Sequence, residues 1–572
     1  MALTRGPGLL TSRKARISNE TTSSAAVTSQ PDQLCDNPRR DSSGRPGGSQ
    51  GHGATGLISL ANASAEPVTA SAAVAVTVAG GPAGEGATDG GLSVRRLATG
   101  VPGLDVVLGG GLEPGSVTVL AGAPGTGKTI LAQQICFANA TTDHRAVYYT
   151  TLSEPHSKLV RHLAPFSFFA PEALGPKVEY IHLGDLIRND QPGQMEPLVT
   201  EVVRKTMEEE PVLVVIDSAK ALRDFAGDRE LRLAFYDLTS RLAHTDAALL
   251  LLGEYTPEEM AAGVEFSLAD TIIQLAYEPR EPVDRRWVRV IKMRGTRHLE
   301  GKHTFRVTTG GVAVFPRIET IDAGEAAEVT GRLDSGVPGL DQLMGGGISA
   351  SEATVIMGPS GVGKTIFGLR FVAQGLAQGE RCLYVTFQDT SDQLIKMAAG
   401  FGWDLEAARA GGQLVVRHVP LGELDLDMLA TRIREDLAGS LVHRVVIDSL
   451  AALVFAAREA ERFPAYARSL TGLIRAAGAS LVITSETTTL GPTAEAAGGV
   501  TFLFHNLIQL RYIELSSATG RALNIVKMRN SNHRKDLYQF EIGEVGPRIG
   551  DKLEGVTGVL GWSALRAANT IL

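Results

Sequence analysis

The chain has 572 residues, too many for one compact domain; 44% hydrophobic and 21% charged residues match folded globular chains, and 64 glycines suit phosphate-cradling turns and a flexible segment. A formal charge of −8 gives no electrostatic reason to bind nucleic acid or an anionic membrane, and no secretory signal or apolar run of roughly 20 residues is seen. Cys35, Cys136 and Cys382 lack the paired spacing of a zinc site or a disulfide framework, so a reducing, cytoplasmic setting is expected, without membrane or nucleic-acid partners.

Residues 1–90 are rich in Ser, Gly, Ala, Thr and Pro with few aromatics, too little apolar surface to offset chain entropy, and predict a disordered leader. Beyond it the chain repeats itself. TGVPGLDVVLGGGLEPGSVTVLAGAPGTGKT (Thr99–Thr129) returns as SGVPGLDQLMGGGISASEATVIMGPSGVGKT (Ser335–Thr365), VVIDS recurs at Val214–Ser218 and Val445–Ser449, and IKMRGTRH (Ile291–His298) returns as VKMRNSNH (Val526–His533). Nearly constant spacing over these landmarks means that a whole domain is duplicated. Domains are expected at 91–325 and 326–548, with a tail at 549–572 whose LGWSALRAANTIL predicts an amphipathic helix.

Each copy alternates short β-branched runs with helical patterns. SVTVLAG, AVYYTTL, PVLVVID and ALLLLGE, answered by ATVIMG, CLYVTF, HRVVID and SLVITSE, read as buried strands of a mostly parallel sheet flanked by helices, an α/β fold. TIIQLAYE, RWVRVIKM and HTFRVTT, with LIQLRYIE, RALNIVKM and LYQFEI, follow without long helices and predict an antiparallel extension.

Two P-loops follow strands and open helices: Gly122, Ala123, Pro124, Gly125, Thr126, Gly127, Lys128, Thr129, and Gly358, Pro359, Ser360, Gly361, Val362, Gly363, Lys364, Thr365. Glycines let backbone N–H groups approach phosphate, and the helix N-terminus adds its dipole. Two ATP sites are expected, with Lys128 and Lys364 on the β and γ phosphates and the hydroxyls of Thr129 and Thr365 on Mg²⁺. Asp217 and Asp448 end strands at the ligand-binding edge of the sheet and complete the expected metal set. Glu154 and Asp389, at matching positions after the next strand, are the candidates to position the attacking water, with helix capping as the competing role. Glu254 and Glu486 are weaker candidates for nucleotide sensing. Lys292 and Arg294, with Lys527 and Arg529, alternate along a strand and are candidate fingers for a neighbouring subunit's ATP, against an ordinary solvated basic edge.

The tandem GVPGLD and GGG segments, paired P-loops, IDS strands and KMR strands together resemble the KaiC family, circadian-clock ATPases with two RecA-like domains. The resemblance covers about 91–550. It implies a double-ring homohexamer with ATP at subunit interfaces, slow hydrolysis in the first domain, autokinase and autophosphatase activity in the second, and regulatory protein partners. Two departures bear on activity. Where the family has paired glutamates, this chain has Ser153-Glu154 and Gln388-Asp389, and the family's phosphorylated Ser-Thr pair aligns with Thr501-Phe502, leaving Thr501 as phosphoacceptor. The alternatives are a nucleotide-gated hexameric scaffold with negligible turnover and a DNA-acting RecA relative, the latter disfavoured by the acidic balance.

Overall fold

The computed structural model describes residues 96–150, 156–183, 195–224, 226–279, 284–322, 324, 329–439, 441–457, 461–486, 501–515, 518–529, 531–554, 556–557 and 565–566. The expected disordered leader lies outside them. In the first copy β1 (Val117–Gly122) is entirely buried and leads into helix α1 (Lys128–Asn139). There follow β2 (Ala146–Thr150), β3 (Val178–His182), α2 (Glu196–Glu209), β4 (Leu213–Asp217), α3 (Asp228–Leu242) and β5 (Ala248–Gly253). β6 (Thr271–Glu278), β7 (Arg285–Met293), β8 (His303–Thr308) and β9 (Gly311–Phe315) complete a nine-stranded sheet in the order β3-β2-β4-β5-β1-β6-β7-β8-β9.

Side-chain alternation feeds two apolar layers. Leu120, Leu250 and Leu252 pack with Leu131 and Ile135 of α1 on one face. Val119, Leu249 and Leu251 pack with Val202 of α2 and Phe235 of α3 on the other. The antiparallel extension starts one strand later than TIIQLAYE predicts: β6 runs parallel to β1, and only β7 to β9 pair antiparallel. Two short helices, Pro257–Ala262 and Val264–Leu268, form the crossover that brings β6 in parallel.

The second copy repeats the plan: β10 (Ala353–Gly358), α4 (Lys364–Ala377), β11 (Arg381–Thr386), β12 (Leu414–His418), α5 (Leu426–Ala438), β13 (Val442–Asp448), α6 (Phe463–Ala476) and β14 (Ser480–Glu486). β15 (Asn506–Leu515), β16 (Ala518–Met528), β17 (Tyr538–Gly543) and β18 (Gly546–Lys552) follow, in the sheet order β12-β11-β13-β14-β10-β15-β16-β17-β18. In the tail, Leu565–Arg566 pairs as a strand with Val556–Thr557 rather than forming a helix, and its other residues from 558 onward lie outside the described set. A helix that short is marginal unless it packs, so local strand pairing prevails at Leu565 and Arg566.

The copies are stitched by the segment after β9. Ile318 is buried in the core of the second copy, with Phe463, Tyr466 and Leu470 of α6. Beside it Glu319 accepts hydrogen bonds from Arg462 Nε and Nη2 at 2.5 and 3.1 Å. Arg462 also bonds Asp427, which is fully buried and accepts from Thr304 Oγ1 of β8 at 2.9 Å. Burial alone pushes Glu319 up, but the Arg462 hydrogen bond and charge outweigh it and hold the carboxyl below its ordinary range.

Candidate nucleotide sites

Each P-loop is shaped by two left-handed glycines, Gly125 and Gly127 (φ 74° and 101°) and Gly361 and Gly363 (φ 73° and 114°), a conformation that side chains disfavour. A Cβ on Gly122 would meet Leu275 O at 2.3 Å, and one on Gly358 would meet Leu510 O at 2.6 Å, so the loop must leave the sheet at glycine. Leu131 N–H to Gly127 O, 2.9 Å, is the first rung of α1. The N–H groups before it point out of the helix start, the geometry an anion needs.

Lys128 Nζ donates to Gly122 O and Ala123 O, both at 2.9 Å, and Lys364 Nζ to Gly358 O and Pro359 O at 3.0 and 2.7 Å. Burial lowers the pKa of Lys128, opposed by the charges of Glu254 and then Asp217; Lys364 follows the same pattern with Glu486 and Asp448. Glu254 Oε1 lies 3.8 Å from Lys128 Nζ. A phosphate placed on these loops would stabilise both ammonium groups, so the residues fit a nucleotide.

The predicted metal residues come together in both copies. Thr129 Oγ1 donates to Asp217 Oδ2 at 3.0 Å, and Thr365 Oγ1 to Asp448 Oδ2 at 2.8 Å. A tyrosine one strand over joins each pair, Tyr148 at 2.7 Å and Tyr384 at 3.1 Å. Burial first, and the adjacent carboxylate second, hold both phenols well above their ordinary pKa, so they remain donors. Hydroxyl and carboxylate oxygens at a strand end are ligands Mg²⁺ accepts. The peptides Asp217–Ser218 and Asp448–Ser449 are both cis. The tyrosines recur in AVYYT and CLYVT, a signal that sequence reasoning could have used.

The first site opens into a cleft of about 1200 Å³ lined by Lys128, Thr129, Tyr148, Asp217, Glu254 and Arg286, among others. Arg286 Nη1 donates to Gly125 O at 2.8 Å and stacks on Tyr277, its guanidinium 5.2 Å from the ring centroid. Tyr512 OH reaches Ser360 O in the second copy at 3.3 Å. Neither contact was foreseen, because each comes from the antiparallel extension and depends on tertiary packing.

The remaining predicted residues fall elsewhere. Ser153 and Glu154 lie outside the described residues. Asp389 is not the cap of the next helix: Thr390 is, in a reciprocal arrangement with Gln393, and Asp389 instead accepts Thr386 Oγ1 on its backbone oxygen at 2.9 Å. Thr501 opens a short turn, Thr501–Leu503, and its side chain is not described. Lys292 Nζ lies 3.4 Å from Phe266 O and Ser267 O, and Arg294 Nη1 bonds Asp270 Oδ1 at 3.2 Å. Lys527 and Arg529 reach Phe504 O and Phe502 O at 2.8 and 3.4 Å. Met293 pairs with Thr271 at the start of β6, whereas the P-loop end of β1 pairs with Leu275. Lys292 and Lys527 therefore sit about 10 Å along the strands from the P-loop register of their own copy, and Arg294 and Arg529 about 16 Å, toward the opposite end of the sheet.

The family model described as the KaiC ATPase matches residues 97–319 and 333–554. The chain is 27% identical over 503 residues to the circadian clock protein KaiC3 of Synechocystis sp., covering 84% of this chain and 96% of that protein. It is 26% identical over 486 residues to the circadian clock oscillator proteins KaiC of Parathermosynechococcus lividus and Rippkaea orientalis, covering 83% of this chain and 88% and 92% of those proteins. Two matches spanning most of the chain, each over a sheet with its own P-loop, place this protein in the KaiC family of ATP-binding P-loop ATPases.

Proposed function

We propose that this chain hydrolyses ATP at two Mg²⁺-dependent sites completed between subunits of a cytoplasmic homohexamer, and that nucleotide state is read by regulatory protein partners. The observation that supports this reading is the position of Lys292, Arg294, Lys527 and Arg529 toward the end of the sheet opposite their own P-loops, from which they would serve a neighbouring subunit's site. Thr129 with Asp217, and Thr365 with Asp448, hold the metal directly or through water. When bound, Mg²⁺ spreads the charge of the β and γ phosphates. Glu154 and Asp389 position the attacking water. The duplicated Thr–Asp–Tyr clusters support equivalent metal-binding roles in both copies.

Size measurement by light scattering with and without Mg-ATP tests assembly. A hexamer formed only with nucleotide, and lost in the Lys292→Ala, Arg294→Ala, Lys527→Ala, Arg529→Ala variant, is expected; a monomer under both conditions overturns the shared site. Thr501 is proposed as an autophosphorylation acceptor in the second copy, tested by mass spectrometry after incubation with Mg-ATP. Exposed Gln388, where the family has an acid, favours a second reading in which the second site is a slow, structural nucleotide site. Turnover indistinguishable from a Lys128→Ala, Lys364→Ala double variant would establish a scaffold.

A further inference from the structure

The wall of the first cleft beyond Asp217 carries two cations that the second copy lacks. Lys220 stands three residues after Asp217 and Arg223 six, whereas the residues three and six after Asp448 are Ala451 and Val454. Both cations line the same cleft as Lys128, Thr129 and Asp217. They are held from behind. Lys220 Nζ meets Glu259 Oε1 and Oε2 at 2.8 and 2.9 Å, and Arg223 Nη2 meets the buried Glu265 at 3.1 and 3.2 Å. The Nε of Arg223 is buried with no hydrogen-bond partner among the described residues, a donor without an acceptor in the cleft wall.

The route from the P-loop to Lys220 is short. Glu254 lies 3.8 Å from Lys128 Nζ, the next residue is Tyr255, and Lys220 Nζ sits over that ring at 5.6 Å from its centroid. Lys220 thus stands past the end of β5, lining the same cleft as Glu254, Lys128 and Thr129. Its salt bridge is one-third exposed on each side, so exchanging Glu259 for phosphate costs little.

We propose that Lys220, backed by Arg223, is a catalytic cation for the γ-phosphate of the first site, supplied by the same chain. The inference rests on reading Gly122–Thr129 as an ATP site. In the step, a water oxygen bonds to the γ-phosphorus while the bond from that phosphorus to the β,γ-bridging oxygen breaks. The electron pair leaves on ADP, and the water's proton passes to a carboxylate or to the released phosphate. Lys220 transfers no atom; it shares the charge on the equatorial oxygens. The second site has Ala451 and Val454 at these positions, so beyond Lys364 of its P-loop its proposed cations come from a neighbour. The first site therefore adds a cation of its own chain, beyond Lys128, to the borrowed ones.

The test uses the full chain with the second site disabled by Lys364→Ala, measuring phosphate release and, separately, binding of a fluorescent ATP analogue. Lys220→Met is expected to lower kcat by roughly 30-fold or more with KM within about threefold, and Lys220→Arg to restore part of it. Glu259→Gln frees Lys220 and should leave kcat at or above that of the parent. An unchanged kcat in Lys220→Met overturns the proposal, as does an equal loss in Glu259→Gln, which would mark the pair as a brace for the loop. Analogue binding that is absent, or indifferent to Lys128→Ala, instead overturns the reading of the P-loop on which the proposal stands.

Discussion

The two halves share a fold strand for strand, and they differ most instructively around their aspartates and fingers. Leu252 of β5 lies beside Asp217, whereas Thr484 of β14 donates its hydroxyl to Asp448 Oδ1. Asp270 accepts Val117 N–H at 3.0 Å and pairs with Arg294, whereas its counterpart His505 accepts Ala353 N–H on Nδ1 at 3.2 Å and cannot neutralise Arg529. Leu213 of β4 is a plain core residue, while its counterpart Arg444 is fully buried, bonded to Glu380 at 2.5 Å and to Asp334 O and Phe371 O at 2.7 and 3.0 Å. A duplicated scaffold thus keeps its phosphate-binding backbone while two apolar core positions become polar in the second copy, at Thr484 and Arg444, and an acid becomes a histidine at His505.

The largest expected effect comes from breaking the buried Arg444 network. Arg444→Leu, which copies the first half, strands Glu380 and several carbonyls and is expected to cost about 3–5 kcal/mol. Leu213→Val in the first half should cost only about 1 kcal/mol. Urea unfolding measures both, and a cost for Arg444→Leu no larger than for Leu213→Val breaks the contrast. Gly375 belongs to the same network, since a Cβ there would meet Arg444 Nε at 2.5 Å.

Thr484→Leu removes one donor to Asp448, worth about 1–1.5 kcal/mol at a charged acceptor. The expected result is a roughly tenfold higher Mg²⁺ requirement for ATP binding at the second site, read by magnesium titration in a Lys128→Ala background. An unchanged requirement would show that Tyr384 and Thr365 suffice to orient the carboxylate.

The smallest effect concerns pH. Burial lowers the pKa of His505, opposed by Glu352 and reinforced by Arg475, Arg529 and Lys527. Because the folded value lies below the ordinary one of about 6.5, its contribution is complete above pH ~6.5 and is lost as pH falls toward the folded value. His505→Asp restores the arrangement of the first half. The variant should lose about 0.5 kcal/mol less than the parent between pH 7.5 and 5.5 in urea midpoints; identical losses would remove His505 as the source of acid sensitivity.

Repetition made much of this legible. Apolar strand runs at constant spacing gave both sheets, and the glycine pattern with the strand-end aspartates identified the cluster that Thr129, Asp217, Thr365 and Asp448 form. Edge strands β3 and β12 escaped notice because Glu179, Tyr180, Arg417 and His418 interrupt their apolar character, as suits strands only half-buried. Lys220, Arg223 and Thr484 were missed for another reason: comparing the halves favours what they share, and these residues are where they part. Tyr148, Arg286 and Tyr512 join the loops only through the folded sheet.

The buried Ile318 gives the repeat a consequence for dissection. Cutting between 325 and 326 would leave the second half without the apolar plug of its core and the Glu319 partner of Arg462. A fragment starting at Arg317 keeps both and should be the more stable of the two. Ancestral symmetry has become dependence, with the later half finishing its interior using the last turn of the earlier one.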